Sequence, residues 1–250
     1  MGFWIGRHRM LTLILWLVPL ALLLWLLGAL VIRPEGWMHR TAERALPSVL
    51  FRVETDQRAV ALTIDDAPSP EVTPGLLEVL RRHGVKATFF VIGGNAERYP
   101  ELLADIRGDG HELANHLYRD RPSIRLSDEE FVARLRQTDA IIRPPGPLKW
   151  CRPGSGWIDD RMVELLHQNG YRACLSSVYP LDLVAPPAAT VWHVMNNVRP
   201  GAILVLHDGG PERAGNVAIL DEVLTRLAEE GYRVTTVSEL VGLARDPASS

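Results

Sequence analysis

An apolar run, Ala59 to Ile64, arrives at two adjacent carboxylates, Asp65 and Asp66, and Pro68 then stops the strand. A buried strand that ends in paired acids and then breaks suits an α/β sheet. Parallel sheets, open or closed, keep their chemistry at the carboxyl ends of their strands. Two carboxylates this close push each other's pKa values apart, which suits a division of labour. One can bind a cation while the other moves a proton. The plainer alternative is a strand followed by an Asx turn, with aspartate as the turn former.

Downstream, strands and helices alternate. Thr73 to His83 has helical spacing and closes at Gly84. Ala87 to Ile92 is β-rich and Gly93-Gly94 breaks it; Glu97 to Arg107 reads as helix and His111 to Asn115 as a short strand. Ser127 to Glu130 is a capping box that starts a helix running to about Ile142. Then come a strand over Lys149 to Arg152, a helix over Asp159 to Asn169 and a strand over Arg172 to Ser177. A helix over Thr190 to Val198, a buried strand over Ala202 to Leu206 and a long helix over Arg213 to Glu230 follow. Tyr232 to Thr236 is the last strand and Ser238 to Ala244 the last helix. This alternation argues for parallel β/α units arranged as a barrel, complete or incomplete.

Met10 to Ile32 contains no charged residue and is rich in Leu and Trp. A run of that length can cross a hydrocarbon core of roughly 30 Å as a helix. A secretory signal has a shorter apolar region and a small-residue cleavage site, which Gly28-Ala29-Leu30 matches poorly. The expectation is an uncleaved anchor with the short amino tail inside and the domain outside the cytoplasm. Arginines flank both ends of the run, so charge asymmetry adds little. The organisation expected is tail and transmembrane anchor over 1–33, a polar connector over 34–58, a catalytic domain over 59–245 and a tail over 246–250. Net charge is −3, and the cations, nearly all Arg, are interleaved with acids, which argues against nucleic acid as a partner. The two cysteines, Cys151 and Cys174, sit in apolar strand-like runs and read as buried free thiols; a bridge between them stays open if their strands are neighbours.

Polar residues follow each strand. The first ends in Asp65-Asp66, and the third leads to His116 and Asp120. The fourth ends in Arg152-Pro153-Gly154-Ser155-Gly156-Trp157, the fifth runs toward Asp182, and the sixth ends in His207-Asp208. Asp66, His116 and Asp120 make a nitrogen–oxygen set suited to a metal. His116 and Asp120 are four apart, which places both on one face of a helical turn. On these motifs the chain resembles the polysaccharide deacetylases of the NodB-homology type. Thr63-Ile64-Asp65-Asp66-Ala67-Pro68 looks like their first motif, and Gly110 to His116 like the approach to their second. Arg152 to Gly156 looks like the third motif, Leu181-Asp182 like the fourth and Leu204 to His207 like the fifth.

The resemblance implies a distorted (β/α) barrel, a divalent metal, usually zinc, and removal of acetyl groups from an N-acetylated glycan. It implies that Asp66 and His116 bind metal and that Asp65 is the general base that takes a proton from the attacking water. Arg152 would hold Asp65 ionised, and the backbone N–H of Ser155 would donate to the oxyanion. His207 would protonate the leaving amine, tuned by Asp182. Chemistry agrees: a tetrahedral intermediate needs its oxyanion stabilised, and an amine leaves poorly unless protonated. The second motif departs from the family pattern, with Asp120 standing where the family has a second His. A carboxylate there adds negative charge and favours harder cations. Gly154-Ser155 replaces the usual Pro-Tyr, and Ala67 replaces Gly. Trp157 is either a sugar platform or a core aromatic. His111 reads as a structural strand-end histidine, and Asp208 as a turn former. Two other functions stay open: a non-catalytic carbohydrate-binding descendant, and a hydrolase of another C–N amide bond on the same fold.

Overall fold

The computed structural model describes residues 16–22, 41, 43–144, 146, 148–180 and 182–245. The chain divides into two units, 1–41 and 42–250. In the first, residues 16–22 are helical and exposed. Most of the apolar run over 10–32 lies outside the described residues, as do Leu181 and the 246–250 tail. Among the described residues no helix is long and apolar enough to cross a membrane.

The second unit is a parallel α/β sheet with helices. Its strands are β1 (Ala59–Ala67), β2 (Thr88–Val91), β3 (Glu112–Asn115), β4 (Lys149–Cys151), β5 (Tyr171–Ala173), β6 (Ile203–His207) and β7 (Arg233–Thr235). They lie in the order β5-β4-β3-β2-β1-β6, with β7 also paired to β1, and every pairing is parallel. Isolated bridges link Leu50 to Cys174, Arg52 to Ala202 and Val178 to Leu204, so the β5 and β6 ends of the sheet are joined through short segments. Residues 49–53 therefore belong to the domain rather than to a polar connector. Val49, Phe51 and Val53 are buried, and Val53 N–H donates to the Gly201 carbonyl at 2.9 Å. Gly201, at φ 81, lets that segment approach; a Cβ there would stand 1.7 Å from the Val53 oxygen.

β1 is buried along its whole length, as expected of a strand with neighbours on both sides. Its side chains alternate. Val60, Leu62 and Ile64 join the core beneath α1 (Thr73–His83) and α7 (Asn216–Glu229), while Ala59 and Ala61 face an inner cluster with Phe90, Ala114, Trp150, Cys174 and Ile203. The same alternation separates the thiols. Cys151 packs in a third cluster with Tyr171 and Ala173, and Cys174 in the inner one. Both are buried and free, on opposite faces, so neighbouring strands do not bring them together.

The remaining helices are α2 (Gly93–Arg98), α3 (Pro100–Gly108), α4 (Asp128–Ile142), α5 (Asp160–Gln168), α6 (Pro187–Asn197) and α8 (Val237–Val241). α4 starts at the capping box read from Ser127 and Glu130. Gly93-Gly94 ends β2 but also opens α2. Its amides donate to the carbonyls of Leu117 and Tyr118 at 2.9 and 3.0 Å, which fixes the loop after His116. The helix expected over Glu97–Arg107 is split at Tyr99, because Pro100 opens a second helix. The helix expected from Arg213 begins at Asn216, after a 3-10 turn over Pro211–Arg213.

Asp208, just past β6, is fully buried and ties the end of that strand to the start of α1. Its carboxyl accepts from Ser69 Oγ at 2.6 Å, from Thr73 Oγ1 and from the Gly209 N–H at 2.6 Å. Its own N–H donates to the Asp65 carbonyl at 2.8 Å. Asp208→Ala strands two buried hydroxyls, and should cost about 3 kcal/mol. For a domain of this size that is a fall in Tm of roughly 6–12 °C, read by thermal unfolding.

Candidate active site

Asp65 lies on the inner face of β1 with Thr63. Regular alternation would send Asp66 to the opposite face. The strand instead bulges between Asp65 and Ala67, and Asp66 takes a left-handed φ of 68. The irregularity re-aims the second carboxylate, as bulges at sheet edges do. Asn95 Nδ2 holds the displaced Asp66 carbonyl at 3.0 Å.

Each acid then has its own partners. Arg152 Nη1 donates to Asp65 Oδ1 at 2.6 Å and to Thr63 Oγ1 at 2.8 Å. Arg152 Nε and Nη2 donate to the carbonyls of Cys174 and Leu175 at 3.0 and 3.1 Å, and the guanidinium lies 4.1 Å from the Phe90 ring centre. Asp66 Oδ1 faces His116 Nε2 at 3.4 Å, and its Oδ2 is ion-paired with Arg213 Nη1. Burial pushes the Asp66 carboxyl up, but His116 and Arg213 outweigh it and hold the group well below the usual carboxylate range. For His116, burial pushes down, while the Asp65 and Asp66 charges and the Arg152 carbonyl raise its pKa to about 9.

The acid pair stands opposite. The β1–β6 register makes Asp65 and His207 direct partners. His207 Nδ1 bonds Asp182 Oδ1 at 2.9 Å, and its backbone N–H donates to Asp182 Oδ2, also at 2.9 Å. Asn216 Nδ2 donates to both Asp182 Oδ2 and the His207 carbonyl at 2.8 Å. Burial lowers the His207 pKa, but Asp182 first, then Asp65 and Asp66, carry it above the ordinary imidazole value. Tyr179 meets the His207 ring edge-on with centroids 5.7 Å apart.

The structure thus brings Asp65, Asp66, His116, Arg152, Asp182 and His207 together. It does not bring in Asp120. Residues 116–120 are not helical, and Leu117 turns through a φ of 61, so a spacing of four puts nothing on a shared face. Asp120 is exposed on the wall of a 670 Å³ cleft that Asp66 and Arg213 also line. Among the described residues no group of three His, Cys, Asp or Glu side chains is placed to hold a metal ion. Asp66 and His116 alone fit one. The His116 Nδ1 is 2.5 Å from the Arg152 carbonyl, the contact that fixes a ligand imidazole with Nε2 free to coordinate. Ser155 follows with a φ of 64 and is exposed, and Trp157 is 66% exposed, which removes the core-aromatic alternative. His111 is buried; its Nδ1 accepts from the Ala87 N–H at 3.2 Å, which fits a structural role. Sequence reasoning missed Asn216, Tyr179 and Arg213. All three lie in loops or at a helix start, where no strand or helix period marks them.

Residues 52–174 match the polysaccharide deacetylase family. A peptidoglycan-N-acetylglucosamine deacetylase of Bacillus cereus is 34% identical over 206 residues, covering 77% of this chain and 92% of that protein. A crystal structure of a peptidoglycan N-acetylglucosamine deacetylase superposes with a TM-score of 0.73 at 30% identity, over 79% of this chain and 95% of that one. A CE4 family pseudoenzyme from Bacillus anthracis superposes with a TM-score of 0.71 at 30% identity, over 78% of this chain and 69% of that one. With its sheet, its paired acids and its sequence all agreeing, the chain belongs to the polysaccharide deacetylase family, hydrolases that act on carbon–nitrogen bonds other than peptide bonds.

Proposed function

We propose that this protein hydrolyses the acetamide of N-acetylated amino sugars in a poly- or oligosaccharide, working at the rim of a distorted, incompletely closed (β/α) barrel. The observation that carries the reading is the pairing of Asp65 with His207 across adjacent strands, each with its own buried partner. One is a carboxylate braced by an arginine and the other an imidazole braced by a carboxylate. That is the arrangement hydrolysis of an amide needs, with a base on the attacking water and an acid on the departing nitrogen.

In this reading Asp65 takes the proton of the attacking water, and Arg152 keeps its carboxylate oriented. The Ser155 N–H, in the strained turn after Arg152, donates to the oxyanion. Against the pull of burial, Asp182, then Asp65 and Asp66, raise the His207 pKa, which favours the protonated form that gives its proton to the amine. Asp182 and Asn216 fix the His207 ring and backbone. Asp66 and His116 would hold a divalent metal, zinc being the usual choice for such a nitrogen–oxygen pair, which when bound polarises the carbonyl and acidifies water. Exposed Trp157 offers a face for a sugar ring. The apolar run over 10–32 would anchor the domain at the outer side of the cytoplasmic membrane, beside envelope glycans.

Acetate release from N-acetylated glycans tests the reading. Asp65→Asn should cut turnover by roughly two to four orders of magnitude, the scale of a general base. It should leave metal affinity within a few-fold, because Asp66 and not Asp65 is the ligand. Glycan binding without acetate release by the wild type would favour a binding protein on this fold instead. The acid has its own signature. A rate that needs protonated His207 falls as pH rises through its pKa. Asp182 raises that pKa, so Asp182→Asn should move the alkaline limb of kcat to lower pH. An unmoved limb would remove His207 from the acid role. For topology, a reporter active only in the cytoplasm, fused after Ser250, should stay silent; a signal there refutes the anchor as oriented.

A further inference from the structure

The Asp66 carboxylate has two oxygens and two cationic neighbours. One is His116; the other, on Oδ2, is Arg213, and the ion pair is nearly buried, with side chains 10% and 16% exposed. The same Arg213 Nη1 also donates to the Asp208 carbonyl. Arg213 closes the 3-10 turn Pro211–Arg213, and its side chain lies against Gly209, the residue after Asp208. A Cβ on Gly209 would stand 2.9 Å from Arg213 Nη1, and Gly209 holds a φ of 128 that side-chain-bearing residues rarely adopt. The missing side chain leaves the room through which the guanidinium reaches Asp66.

A guanidinium and a dication cannot share one small buried carboxylate without placing like charges side by side. We propose that Arg213 is the resident cation of this centre and competes with a divalent metal for Asp66, so that metal binds only as the guanidinium leaves Oδ2. Asp120, on the wall of the same cleft, gives the displaced guanidinium a carboxylate to turn to. The family position that usually carries a ligand thus serves the competing cation. The inference rests on the assignment of Asp66 and His116 as metal-binding.

Zinc is titrated by calorimetry into the purified full-length chain and into Arg213→Gln, with circular dichroism confirming the fold. Arg213→Gln is expected to bind zinc about tenfold tighter, equivalent to about 1.4 kcal/mol. Equal or weaker binding by a folded variant overturns the arginine proposal alone and leaves Arg213 as a brace that orients Asp66. No binding by either chain overturns the metal assignment with it. The wild type supplies a check that needs no variant to fold. Nitrogen-edited NMR of the arginine side chains should show the Arg213 resonance shifting as zinc binds; an unchanged resonance at zinc saturation overturns the proposal. Asp120→Asn should weaken zinc binding several-fold in the wild type and not at all beside Arg213→Gln. A further loss in that background would return Asp120 to the ligand set.

Discussion

The site hangs on the guanidinium of Arg152. It is 4% exposed and spends its donors on Asp65, Thr63 and the carbonyls of Cys174 and Leu175, while its own carbonyl receives the His116 ring. One side chain therefore connects the ends of β1, β4 and β5, and one backbone oxygen adds the residue after β3. A buried ion pair is weak evidence for stability, since desolvation offsets its attraction. Breaking this one by removing either partner would still leave a buried charge, at a cost of about 3–5 kcal/mol. Its value is positional. The register that brings Thr63 and Asp65 to one face presents both to Arg152, so an error of one residue in β1 would lose the pair and expose the apolar set that packs on α1 and α7.

Charge balance then sets the protonation of the imidazoles. Asp65, Asp66 and Asp182 stand against Arg152 and Arg213, leaving an excess of negative charge in a buried space. Both His116 and His207 are pushed up by those carboxylates despite burial, which alone would push them down. The two respond to the same field but face different chemistry. His207 is locked to Asp182 through Nδ1, with Asn216 bridging that carboxylate to the His207 carbonyl, which leaves Nε2 outside that pair. His116 points Nε2 at Asp66, where a proton and a metal are alternatives.

Much of this was readable from residue order, and the reason is the period of the strand. Strands that bury one face to a helix layer and end in polar residues announce a rim, and Asp65, Arg152 and His207 are legible that way. Asp66 was readable as a partner of Asp65 but not its bulge, since two adjacent strand residues give no local sign that alternation fails. A spacing of four carries meaning only inside a helix, and the backbone at Leu117 leaves that conformation, so Asp120 does not share a face with His116. Gly93-Gly94 looked like a breaker, but the amides of the helix it opens carry the loop that aims His116. Asn216 and Arg213 had no signal, because their positions depend on where a turn of three residues ends.

The two arginines of the site differ in how far they are held, and that difference separates a fixed part from a movable one. Arg152 is wedged under β1 with donors to four groups and an aromatic ring beneath it. Moving it would strand Asp65 in the interior. Arg213 has Asp66 and one carbonyl, comes from a loop rather than a strand, and borders an open cleft. Moving it strands less, since water and Asp120 lie on the cleft side. The proposed base is thus tied to the arginine with more partners, and the candidate metal ligand to the one with fewer. On the proposed reading, a site built this way keeps the Asp65 carboxylate in place whatever occupies Asp66, and the cation at Asp66 is set by the loop that follows His207.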